Sequence, residues 1–250
     1  MTIETDNLVF LHGWGMHSGV WNATAERLSA RFNVTAVNLP GYGGKASVAP
    51  YTLETLAASI AAELPPVFDL CGWSLGGQLA LTLARLLPDR VRRLVLVGTN
   101  PCFTRRPDWP CAIEASVLES FSCDLTERYE ATLKRFLALQ VHGDAAARQT
   151  LAHLRGLLFA QGKPDGIVLS NGLDILLNSD LRGEIAGIAV PALVMHGGSD
   201  RLVPVCAAEW LAQTLPQGRL QRFSGASHAL FLSHHAEFDA AIIDFLQEQY

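Results

Sequence analysis

The chain has no apolar run approaching the ~20 residues that a bilayer-spanning helix needs. Its start, Met1 to Asn7, lacks the basic stretch and following apolar segment of a secretion signal. A cytoplasmic protein that engages no membrane is therefore expected. Its five cysteines, Cys71, Cys102, Cys111, Cys123 and Cys206, are odd in number and never fall in Cys-x-x-Cys spacing. That scatter argues against a zinc ribbon or a disulfide scaffold, so reduced and mostly buried thiols are expected. Positive charge is also short: 19 Lys and Arg stand against 24 Asp and Glu, a formal charge of −5. No overall basic field is available to hold nucleic acid, and an anionic partner would have to be met by a local patch. There is no P-loop, no dinucleotide glycine fingerprint and no cluster of metal ligands, so neither a cofactor nor a metal is expected. Nothing in the chain calls for an oligomer, and a monomer is the expectation.

At 250 residues and 49% hydrophobic content, the chain can bury a full core. Short apolar β-type runs, Leu8 to Leu11, Val34 to Leu39, Val67 to Cys71, Leu94 to Val97, Ala192 to Met195 and Leu220 to Phe223, alternate with helical patterns. Thr52 to Leu64 repeats Leu53, Leu56, Ile60 and Leu64 at helical spacing, whereas Leu75 to Leu87 is apolar nearly all round. The fold class expected is α/β, a mostly parallel sheet with helices on both faces. From about Cys102 to Ile185 the β runs stop, and helical stretches such as Leu125 to Val141 and Ala145 to Phe159 replace them. The chain is accordingly divided into a first core segment (1–101), a helical lid (102–185) and a second core segment (186–250).

Gly72-Trp73-Ser74-Leu75-Gly76 matches Gly-x-Ser-x-Gly, the tight strand-to-helix turn that presents a serine hydroxyl. Its setting, an apolar strand before and a helix after, is the one that such a turn requires. A serine hydroxyl is a weak nucleophile near neutral pH and needs a histidine within reach, oriented by a carboxylate. Of eight histidines, His228 follows the last β run in Gly225-Ala226-Ser227-His228, where a base belongs in the order Ser, acid, His. His234 and His235 fall at the start of the final helix, His142 and His153 in the lid, and His17 before a helix, so surface or packing roles are expected of them. Asp200, in His196-Gly197-Gly198-Ser199-Asp200, follows a buried run and can aim a carboxylate at His228. The other position used for an acid, after Leu94 to Val97, carries Asn100, which has no charge to stabilise an imidazolium. His12-Gly13-Trp14-Gly15 follows the first β run and offers backbone donors for an oxyanion; the N–H groups of Trp14 and Leu75 are assigned to that hole. His12 itself is read as structural, bonding loop backbone.

The arrangement resembles the α/β hydrolases over nearly the whole chain. More narrowly, His12-Gly13-Trp14-Gly15, Gly72-Trp73-Ser74-Leu75-Gly76-Gly77, Pro101-Cys102-Phe103, Trp109-Pro110 and Phe136-Leu137-Ala138-Leu139-Gln140 are similar to the pimeloyl-[acyl-carrier protein] methyl ester esterases of biotin synthesis. The resemblance implies a serine carboxylesterase that hydrolyses the methyl ester of the carrier-bound pimeloyl chain and releases methanol. It implies that Trp14 and Leu75 line the ester site and that Phe136 and Gln140 contact the acyl chain. It also implies a strongly acidic acyl carrier protein as partner, docked on lid arginines. Between residues 128 and 163 the cations Arg128, Lys134, Arg135, Arg148, Arg155 and Lys163 face only Glu130 and Asp144. Arg128 with Arg135, and Arg148 with Arg155, stand seven apart and are expected to share helix faces. Arg135 and Arg148 match the family's docking positions, whereas two other basic positions are Ala131 and Ala152 here. The amino terminus is shorter than the family's, which predicts the loss of a first edge hairpin. Two rival functions share these residues: a broad short-chain carboxylesterase with no carrier partner, and a non-catalytic ligand-binding member of the fold.

Overall fold

The computed structural model describes residues 6–248, so the amino-terminal reading of Met1 to Thr5 lies outside the described residues. Six strands, β1 (Asn7–Leu11), β2 (Asn33–Val37), β3 (Phe68–Trp73), β4 (Val91–Val97), β5 (Ala192–Gly197) and β6 (Gly218–Phe223), form one sheet in the order β2-β1-β3-β4-β5-β6. Every neighbouring pair is parallel. Parallel neighbours need long crossovers, and helices supply them: α1 (Asn22–Leu28), α2 (Leu53–Ala61), α3 (Leu75–Leu86) and α7 (Val205–Thr214), closed by a short α8 (Leu230–Ser233) and α9 (His235–Gln247). Between β4 and β5 stand α4 (Ala115–Gln140), α5 (Ala147–Leu157) and α6 (Gly166–Asn178).

Burial follows the sequence pattern. All six residues of central β3 and of β5 are buried, as strands covered on both faces must be, whereas edge strands β2 and β6 are exposed or half-buried at most positions. Helix α3 is buried from Leu75 through Ala84, which explains why its sequence carries no polar stripe. Thr52 caps α2 in a reciprocal box with Thr55, so that helix starts where its apolar spacing starts. Behind the sheet Trp21 lies against Phe10, Phe231 and Phe238, with ring centroids 4.7, 4.1 and 6.2 Å away. This cluster anchors α8 and α9 under the loop that carries His228.

The structure corrects three expectations. Cys111 and Cys206 are joined in a disulfide, with Cα atoms 5.5 Å apart across 95 residues of sequence, while Cys71 and Cys102 are buried free thiols and Cys123 is exposed. No spacing rule connects Cys111 to Cys206; the fold brings the segment before α4 onto α7. The helical region also begins ten residues earlier than Leu125, at Ala115, and includes a third helix, α6, that the sequence reading did not separate. Finally, Arg128 has φ −137° and ψ 45°, which breaks α4, so the seven-residue spacing to Arg135 does not place the two on one uninterrupted helical face. Arg148 and Arg155 do share α5, and both are exposed. Among the described residues no helix is long and apolar enough to cross a membrane.

Candidate active site

Five loops leave the carboxyl ends of the strands on one edge of the sheet, where open α/β sheets hold their ligands. They bring His12 to Gly15 from β1, Ser74 from β3, Gly98 from β4, Asp200 from β5 and His228 from β6 to the same place. Ser74 is the one non-glycine residue with positive φ (57°) among the described residues, and it stands between β3 and α3. Its N–H donates to Val97 O at 2.9 Å. The glycines around it are dictated by contact: a Cβ at Gly72 would lie 2.2 Å from Gly76 O, and one at Gly76 would lie 2.6 Å from both Leu11 O and His12 O. Such separations are impossible for carbon and backbone oxygen, so β1, β3 and α3 can approach this closely only without side chains there. A strained, nearly buried serine at this turn is what the sequence motif implied.

Asp200 and His228 meet from different loops: Asp200 Oδ2 lies 2.7 Å from His228 Nδ1. The other carboxylate oxygen, Oδ1, accepts the N–H groups of Leu202 at 2.8 Å and Val203 at 3.0 Å. Complete burial works to raise the pKa of Asp200, but the charge and hydrogen bond of His228, the neighbouring His196 and the Val203 N–H outweigh it, and the net shift is downward. The carboxylate is thus kept ionised, as an imidazole orienter must be. His228 is held from the other side too, because its carbonyl accepts from Trp73 Nε1 at 3.0 Å. Gly98, with φ 50°, leaves room for the pair: a Cβ there would sit 2.9 Å from His228 Nδ1.

The His12 to Gly15 loop abuts the serine, since a Cβ at Gly13 would be 3.3 Å from Ser74 Cβ. Leu75 opens α3, so its N–H is among those with no intrahelical carbonyl to bond, and it points to the serine end of the helix. His12 bonds loop backbone, as expected: Nε2 accepts from Leu39 N–H at 3.0 Å, and Nδ1 lies 2.9 Å from Gly13 O. Burial lowers its pKa to about 3, with the Gly13 bond opposing and His17 adding to the shift. The ring is neutral and serves to fix the loop. Asn100 is also structural, accepting from Cys102 N–H and donating to Cys111 O.

Helices α4 and α6 both meet the His12 to Gly15 loop at Trp14. Trp14 Nε1 donates to Leu169 O of α6 at 2.8 Å, and the Trp14 ring meets Phe136 of α4 edge-on at 4.7 Å. Gln140 is buried with its Oε1 unpaired among the described residues, while its backbone O accepts the N–H groups of His228 at 3.0 Å and Ala229 at 3.4 Å. The structure thus brings Trp14, Phe136 and Gln140 to the edge that holds Ser74 and His228. It leaves Arg128, Arg135, Arg148 and Arg155 on the outer surface of α4 and α5. Arg135 is partly neutralised, paired with Asp124 at 2.7 Å and lying 4.4 Å over the Phe121 ring.

A second histidine stands beside Asp200. His196 Nε2 lies 3.0 Å from Val203 O and 3.8 Å from Asp200 Oδ2, and burial lowers its pKa. It stands as a neutral ring behind the carboxylate. Its place four residues before Asp200 was visible in the sequence, but the loop that folds Val203 back onto it was not.

A family model described as "Alpha/beta hydrolase family" matches residues 8–241, and the chain belongs to that family. Within it, the chain belongs with the pimeloyl-[acyl-carrier protein] methyl ester esterases. It is 45% identical over 232 residues to the protein of that name from Nitrosomonas europaea, covering 93% of this chain and 92% of the relative. It is 42% identical over 243 residues to the one from Chromobacterium violaceum, covering 97% and 95%. Among solved structures, an esterase from Exiguobacterium antarcticum superposes with a TM-score of 0.87 at 24% identity, over 97% of this chain and 92% of that one. An enol-lactonase from Burkholderia xenovorans superposes at 0.85, also at 24% identity, over 98% and 92%. These two structures speak for the fold.

Proposed function

We propose that this chain is a carboxylic ester hydrolase that cleaves the methyl ester of pimeloyl-[acyl-carrier protein] to methanol and pimeloyl-[acyl-carrier protein], with Ser74, His228 and Asp200 as its catalytic triad. The substrate assignment rests on the full-length similarity to esterases of that name. The observation that carries the chemistry is the 2.7 Å contact between Asp200 Oδ2 and His228 Nδ1, beside a serine held at positive φ. With Nδ1–H bonded to the carboxylate, Nε2 is the nitrogen left to take the Ser74 proton. Ser74 Oγ attacks the ester carbonyl, and the oxyanion is received by the N–H groups of Trp14 and Leu75. His228 returns the proton to the departing methoxide, which leaves as methanol. Water, deprotonated in turn by His228, then splits the acyl-enzyme and frees the acid. Each oxyanion donor contributes about 2.7–4 kcal/mol to transition-state stabilisation in sites of this kind.

Helices α4 to α6 serve as the lid, residues 102–185, over core segments 1–101 and 186–250. Phe136, packed on Trp14, and Gln140 line the acyl path, and an apolar wall there suits a seven-carbon chain. The acidic carrier protein docks on the exposed cations of the lid, Arg148 and Arg155 on α5 with Arg128 and Arg135 on α4. Ser74→Ala tests the reading: turnover of a methyl ester and labelling by a fluorophosphonate should both vanish while the thermal midpoint is kept. Retained turnover would overturn it.

A further inference from the structure

The turn between α4 and α5, residues 141–146, is bonded to the loop that presents His228. Asp144 Oδ2 accepts Ser227 N–H at 3.2 Å, and Ser227 Oγ donates to His142 O at 3.1 Å. These join the two bonds from His228 and Ala229 N–H to Gln140 O. The same turn touches the acid loop: Gly143 has φ 88°, and a Cβ there would lie 3.2 Å from Ser199 Cβ, one residue from Asp200. Ser227 and Asp144 are both buried, so the bonds between them are shielded from competing water.

Asp144 stands at the centre of this junction. Its Oδ1 accepts Ala146 N–H at 2.8 Å, and its carbonyl accepts Ala147 N–H at 3.1 Å, which fixes the start of α5. One side chain therefore ties the residue that precedes α5 to the residue preceding His228. Among the described residues its carboxylate accepts from Ala146 and Ser227 and makes no hydrogen bond to Ser74. A carboxylate buried merely to start a helix would need the Ala146 bond alone, for which a serine would suffice. The second bond is directed at the catalytic loop.

We infer that Asp144 is a positioning residue for the reaction: it holds Ser227, and through it the His228 ring, in register with Ser74. The inference rests on His228 being the base. It makes the lid and the triad one mechanical unit, because a displacement of α4 or α5 moves Gln140 O and Asp144 Oδ2, and with them the backbone of His228. Small misplacements of a catalytic base are costly, since the reacting atoms must be held to within about an ångström.

Asp144→Ser separates positioning from formation of the turn before α5. The shorter hydroxyl still accepts Ala146 N–H but no longer reaches Ser227. The expected result for a free short-chain methyl ester is a fall in kcat on the order of ten- to a hundredfold with KM unchanged, and an equal fall in the rate of fluorophosphonate labelling. A purely structural role would lower the thermal midpoint and leave kcat at 25 °C at the wild-type value, and that result would overturn the inference. Should Asp144→Ser fail to fold, Asp144→Asn keeps the size of the side chain and one acceptor for Ala146 N–H but sets an amide NH2 against Ser227 N–H; a severalfold loss of kcat is expected, and wild-type kcat would contradict the proposal. His228→Ala, run alongside, distinguishes the two levels. If it is still labelled at the wild-type rate, the reading of His228 as base fails; if it is inert while Asp144→Ser behaves as wild type, only the present inference fails.

Discussion

Asp200 Oδ2 and His228 Nδ1 are 2.7 Å apart although the two residues hang from different strands, and every polar atom of that carboxylate has a partner. The relationship fixes both the tautomer of the imidazole and the direction of its free nitrogen. Asp200→Asn keeps the size of the side chain but can present its NH2 to Nδ1, which selects the wrong tautomer. It should lower kcat by about 10⁴-fold with little change in KM or in the unfolding midpoint. Steady-state kinetics on a soluble methyl ester measures this; a loss of less than tenfold would remove Asp200 from the mechanism.

The loop that starts at His12 and the serine turn are packed backbone to backbone. Gly76→Ala places a methyl group 2.6 Å from both Leu11 O and His12 O, neither of which can swing away. Displacing the loop should cost about 10²-fold or more in kcat, as losing an oxyanion donor does, and should lower the thermal midpoint. Gly156→Ala is the control, for nothing lies within 4 Å of a Cβ there and the residue sits inside α5. It should keep full activity and gain roughly 0.5–1 kcal/mol of stability.

Stability should fall on mild acidification. His12 titrates at about 3 in the fold against 6.5 ordinarily, because burial opposes its charge. Above pH 6.5 neither the folded nor the unfolded chain carries that proton, and the contribution is intact. Between 6.5 and about 3 the unfolded chain binds a proton that the folded chain refuses, so stability drops by up to about 1.4 kcal/mol per pH unit for this group. His196, with its pKa also lowered by burial, acts in the same direction. Urea midpoints at several pH values between neutral and 5 should show the decline. In His12→Asn the dependence should be shallower, and an unchanged slope would mean that His12 is not held neutral.

What the sequence revealed was mostly local. The β3 run, the Gly-x-Ser-x-Gly turn and the all-apolar α3 are contiguous, and each demands the next for steric reasons, so Ser74 was readable without coordinates. Asp200 and His228 were legible through their place after late strands, which is a rule of chain order. The ties that cross the fold were not: Asp144 reaches Ser227 across 83 residues, Cys111 reaches Cys206 across 95, and neither pair has a spacing that announces it. The arginine spacing misled for the opposite reason, since a helical period carries over only where the backbone is helical, and at Arg128 it is not.

The central claim is that the substrate is a carrier-bound ester met by a basic lid on an acidic enzyme. It is tested most directly by kcat/KM for the methyl ester of pimeloyl-[acyl-carrier protein] beside that for a short free methyl ester, each at low and high salt. The account predicts a strong preference for the carrier-bound ester that shrinks as salt screens the lid arginines from the carrier, with the free ester indifferent to salt. Equal or faster turnover of the free ester, with no salt effect on either substrate, would contradict it and leave a general carboxylesterase.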